Sequence, residues 1–119
     1  MAVRVRLRIR VGSRVLETSA LVNTGFESSE PSILLPKKLA ESLGMYPPKS
    51  SELITAHTVG GEVFLIRLQE PLWVNVVAGE KTSREVAASA MVSGMESEVL
   101  ISDYLAGELM IQILSLIHI

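Results

Sequence analysis

The sequence predicts an all-β domain carrying one or two short helices. Three observations point there. The segment VRVRLRIRV (Val3–Val11) alternates strictly between apolar and charged residues, the period of a half-buried strand. Further runs rich in Val, Ile, Leu and Ala are separated by turns bearing Gly. Only two stretches read as helix. At 119 residues, 48% of them hydrophobic, residues 1–119 form a single domain with enough apolar side chains for a real core.

The elements follow in order. Val3, Val5, Leu7, Ile9 and Val11 share one face of the first strand, and Arg4, Arg6, Arg8 and Arg10 share the other. Gly12-Ser13 is a turn signal, and RVLETSALV resumes as a second strand, giving an N-terminal hairpin. The arginine face has two readings: a solvated face that discourages edge-to-edge association, or a docking surface for an acidic partner or nucleic acid. After Asn23-Thr24-Gly25, PSILLP is a short strand. PKKLAESLG then reads as a two-turn helix, with Pro36 at its first position, Gly44 at its C-terminal cap, and Leu39 and Leu43 facing the core. MYPPKSS is a connecting loop. ELITAHTVGGEVFLIRL forms two strands around Gly60-Gly61. LWVNVVAGEKTSREVAASAMV forms two more around a turn near Gly79-Glu80. EVLISDYLAGEL is a strand running into a short helix capped by Ser102, with Asp103 in its first turn. MIQILSLIHI, almost uniformly apolar, reads as a final strand. Twice a strand leads through a turn toward a helix, in SALVNTG…LPKKLAESLG and in SEVLISDYLAGEL, which suggests two similar halves. Trp73 is expected in the core or an interface, His57 on an exposed strand, and His118 in a tail.

Composition narrows the function. Without cysteine, disulfides and thiolate metal sites are excluded. Two histidines argue against a multi-histidine metal site within one chain, so no metal and no cofactor are expected. A net charge of −2 argues against nucleic acid as the partner. No apolar run reaches the length of a membrane span, and the charged start Met1–Arg10 is unlike a signal peptide. The expectation is a cytoplasmic domain without membrane contact.

Taken in order, these residues resemble the retropepsin-like (retroviral-type) aspartic proteases, in their single-domain archaeal and bacterial form. Leu21-Val22-Asn23-Thr24-Gly25 matches the apolar-apolar-Asp-Thr-Gly motif. Leu35-Pro36 through Leu43-Gly44 matches the strand and helix after it. Thr55 to Val63 matches the glycine-tipped flap, and Leu100-Ile101-Ser102 the late turn before a helix. The resemblance implies an acid-protease β-barrel. It further implies an endopeptidase active only as a homodimer, since each chain holds one triplet. Two such turns then meet, and their carboxylates share one proton while holding the lytic water. Asn23, Thr24 and Gly25 would occupy the catalytic turn. Ala56, His57, Thr58, Val59, Gly60 and Gly61 would cover a peptide or protein substrate. The terminal segments Val3–Val11 and Met110–Ile119 would be candidates for interface sheet.

Asn23 departs from the motif. An amide loses no proton near neutral pH, so it is no base, and Asp103, the only aspartate, lies in the second turn-helix unit. The chain as written is expected to be inactive, through an engineered Asp-to-Asn change or as a natural pseudo-enzyme. Ser102 stands where the family has glycine. Two other readings stay open: a non-catalytic peptide-binding or dimerisation module of the same fold, and a DNA-binding regulator of the AbrB type. ILLPKKLAESLGM also resembles the latter, but that module leaves the second half of the chain unexplained.

Overall fold

The computed structural model describes residues 3–22, 28–48, 51–58, 61–94 and 96–116, with backbone alone for 51–58, 61–64 and 111–116. Nine strands and two helices are described: β1 (Val3–Val11), β2 (Arg14–Val22), β3 (Ser32–Pro36), α1 (Lys37–Ser42), β4 (Ser51–Thr58), β5 (Gly61–Leu68), β6 (Leu72–Ala78), β7 (Lys81–Thr82), β8 (Val86–Ser93), β9 (Val99–Ile101) and α2 (Asp103–Leu116).

The alternation in β1 is realised as expected. Leu7 and Ile9 are fully buried, and β1 pairs with β2 from Val3↔Val22 to Val11↔Arg14. Gly12 takes φ +60° in the turn between them, a conformation that glycine adopts without strain. The arginines of the outer face meet acids of the same chain. Arg4 binds Glu98 at 2.7 Å, Arg8 binds Glu17 at 3.3 Å, and Arg10 binds Glu85 at 2.8 Å. That hydrogen bond from Arg10 holds the Glu85 carboxyl below the usual range.

Six strands close into a barrel in the order β1-β2-β9-β3-β8-β6, with β6 returning to β1. β2 runs parallel to β9, and β3 runs parallel to β8. The remaining barrel pairs, β1–β2, β9–β3, β8–β6 and β6–β1, are antiparallel. Exchanging β1 with β6, β2 with β8, β3 with β9 and α1 with α2 preserves every pairing and its direction. The barrel therefore has an internal two-fold topology, and each half places its third strand beside the second strand of the other. Two similar halves were expected, but their correspondence differs. The turn after β2 matches the turn after β8, whereas Ser102 at the end of β9 matches Pro36 at the end of β3.

β3 is central. Ser32, Ile33, Leu34 and Leu35 are all buried, as a strand covered on both faces requires. Ile33 and Leu35 join Leu7, Ile9, Leu72, Val74, Ile101 and Leu105 in the main core. Leu34 packs on the opposite side with Leu65, Met91 and Leu100.

α1 ends as its sequence dictates. The Gly44 N–H donates to the Glu41 carbonyl and the Met45 N–H to the Ala40 carbonyl. Gly44 takes φ +75°, completing a Schellman motif. Leu43 is buried and Leu39 packs against the core. Pro36 is one place earlier than expected, at the N-cap with ψ 146°. The peptide between Tyr46 and Pro47 in the following loop is cis.

Two expectations are corrected. Residues 110–116 form no strand: α2 continues through Leu116. Uniform apolarity carries no period, so it cannot distinguish strand from helix. Both edges of β9 are already taken by β2 and β3, and Leu105 and Leu109, four apart, set a buried helical stripe. Residues 110–116 thus supply no interface sheet, and 117–119, with His118, lie outside the described residues. β1 is flanked by β2 throughout and by β6 over Leu7–Arg10 alone, which leaves Val3–Arg6 with one edge outside the described pairings. Trp73 is not in the core. It is 39% exposed on the outer face of β6, beneath the Arg10 guanidinium at 5.7 Å.

Candidate active site

β2 delivers the chain to the candidate triplet. Its last residues pair in parallel with β9, Leu21 beside Leu100 and Val22 beside Ile101. Two apolar strands therefore end side by side, one leading to Asn23 and the other to Ser102. Asn23, Thr24 and Gly25 themselves lie outside the described residues, as do Phe26 and Glu27.

Ser102 directly follows Ile101, the β9 residue in register with Val22. It is fully buried. Its Oγ accepts the Leu105 N–H at 3.1 Å, capping α2, and the Ser32 N–H at 3.0 Å. Its own N–H donates to the Ser32 carbonyl at 3.0 Å. One residue thus fixes the start of β3, the end of β9 and the start of α2. Among the described residues no non-glycine has positive φ, so serine needs no glycine-like backbone here.

The segment after the triplet is also tied down. The Ser28 hydroxyl meets the Ser32 hydroxyl at 2.8 Å, and Ser32 Oγ donates to the Glu30 carbonyl at 3.0 Å. The Glu30 N–H reaches back to Ser28 Oγ at 3.4 Å. The Glu30 carboxylate pairs with Arg67 at the end of β5. Between them and the start of β8 lies a cavity of about 530 Å³, lined by Glu30, Pro31, Arg67, Gln69, Pro71 and Ser89 among others. A second cavity of about 650 Å³ lies by the start of α1 and the turn before β9, with Arg4, Lys37, Glu96 and Glu98 in its wall. Charges of both signs line it, and Arg4 is already bound to Glu98.

Of the expected covering residues, Ala56, His57, Thr58 and Gly61 fall on one ribbon. β4 and β5 pair along their whole length, with Ala56 opposite Val63, His57 opposite Glu62 and Thr58 opposite Gly61. Val59 and Gly60 lie outside the described residues, as do the side chains of Ala56, His57 and Thr58. Among the described residues, no group of His, Cys, Asp and Glu is arranged to hold a metal ion, and no helix is long and apolar enough to cross a membrane.

Sequence reasoning missed Ser28, Glu30, Ser32 and Arg67. The polar run Ser28-Ser29-Glu30 before Pro31 was the available signal for the first of these. Nothing local linked Glu30 to Arg67. Compared with known proteins, the chain matches no family model and no curated protein.

Proposed function

We propose that this chain is an aspartic endopeptidase of the retroviral type in an inactive form, with Asn23 in the position of the catalytic aspartate. The observation that carries the reading is the parallel pairing of β2 with β9 inside a closed six-stranded barrel. It gives the segment after Val22 a fixed take-off beside buried, fully engaged Ser102. The order of features also agrees: strand and triplet, strand and α1, ribbon, strand and α2.

A second copy completes the site. Two turns meeting across a two-fold axis would bring two position-23 side chains together. With aspartate at both, the carboxylates share a proton, because two in contact cannot both ionise readily. One takes a proton from water and the other gives one to the peptide oxygen. With asparagine at both, the site keeps its shape and holds an extended peptide without cutting it. The β4–β5 ribbon covers that peptide.

The test is Asn23→Asp, assayed on a diverse peptide pool from roughly pH 3 to 7, the range in which a carboxylate dyad passes through its singly protonated state. Positioned acid and base groups each contribute about 10²–10⁴-fold, so cleavage should rise far above that of the parent chain. It should survive chelators and yield to compounds mimicking a tetrahedral diol. A folded revertant that cleaves nothing across this range overturns the reading.

A further inference from the structure

The β4–β5 ribbon is attached to the barrel at its root alone. β4 has β5 as its one strand neighbour, and β5 meets β8 only through Ile66↔Val92 and Arg67↔Met91. Beyond these two positions the ribbon runs on for most of the eight residues of each strand. A two-stranded ribbon in water is marginally stable by itself, so its position depends on what holds the root.

We propose that Glu30 and Arg67 are the clamp that sets the resting position of the ribbon. Arg67 is the last residue of β5 in register with β8, which is where a swing of the ribbon would pivot. Its guanidinium binds the Glu30 carboxylate, on the segment that directly follows the candidate triplet. Glu30 is itself anchored, its N–H to Ser28 Oγ and its carbonyl to Ser32 Oγ. On the other strand of the ribbon, Glu52 stands at the register position opposite Arg67. Leu65 and Leu68 anchor the same stretch of β5 in the core, while the cavity of about 530 Å³ lies on the side of Glu30 and Arg67, so the ion pair sets the angle of a root that the leucines hold in place. The clamp couples the catalytic-turn segment to the ribbon. Its role in admitting a peptide rests on the peptidase reading above, whereas its mechanical role does not.

The experiment is amide hydrogen exchange on the chain as it stands, with Asn23 in place. Glu30→Gln should speed exchange of the β4 and β5 amides by about two- to fivefold, the scale of one partly exposed ion pair, and leave β3 and β9 unchanged. In an Arg67→Gln background the same change should add nothing. Unchanged ribbon exchange in Glu30→Gln overturns the clamp. So does an equal acceleration of β3 and β9, or a full additional effect in the Arg67→Gln background. An inert Asn23→Asp variant beside a loosened Glu30→Gln ribbon removes the peptidase reading and leaves the clamp standing.

Discussion

Ser102 makes three hydrogen bonds: its Oγ accepts from the Leu105 N–H and the Ser32 N–H, and its N–H donates to the Ser32 carbonyl. Truncation to alanine removes a helix cap, about 1 kcal/mol, and leaves a buried N–H unpaired, about 1–3 kcal/mol. Ser102→Ala should therefore lose about 2–4 kcal/mol in denaturant unfolding. A loss under about 0.5 kcal/mol would mean that these bonds are replaced without cost. The capping role was legible, because serine before an acidic first turn is a local signal. The bond to Ser32 was not, because it joins positions 70 residues apart. The same holds for Glu30 and Arg67, 37 residues apart. The reading of Asn23 rests on its neighbours in the sequence alone, since residues 23–27 lie outside the described residues.

The two helices show what local signals can decide. α1 is bounded by Pro36 and Gly44, both punctuation that needs no tertiary information, and its ends fall within a residue of expectation. α2 has a clear start but no stop signal, and its apolar continuation reads as a strand from the sequence, whereas both edges of β9, the strand just before it, are already paired. Two glycines make the point testable with opposite signs. Gly44 holds φ +75°, and an added Cβ would stand 3.2 Å from the Arg14 guanidinium carbon. Gly44→Ala should cost about 1–2 kcal/mol for the left-handed backbone. Gly107 lies inside α2 with open space where a Cβ would go. Gly107→Ala should stabilise by about 0.5–1 kcal/mol. Thermal unfolding of the two variants checks both, and a shared sign would contradict the helix ends described.

At the scale of the molecule, the all-β class and most strands followed from alternation and turns, but ring closure did not. No local pattern states that β6 pairs with both β1 and β8. One triplet per chain predicts a dimer with position 23 near its axis. Sedimentation equilibrium should show a dimer at micromolar concentration, and a chain that stays monomeric there lacks a shared site. Mixed dimers of parent and Asn23→Asp chains should be almost as inactive as the parent, because each site then holds a single carboxylate. The interlock of the two halves also has a consequence for how the protein emerges from the ribosome. β3 is complete at Pro36, yet both its neighbours, β8 and β9, come from Val86 to Ile101. Synthesis at about 5–20 residues per second makes that wait several seconds. Throughout it, Ile33, Leu34 and Leu35 have no strand to join, and β2 has an open edge where β9 will lie. The N-terminal half therefore cannot finish folding ahead of the rest. The nascent chain carries an uncovered apolar strand through most of its translation, which makes that strand the natural place for a chaperone to hold it.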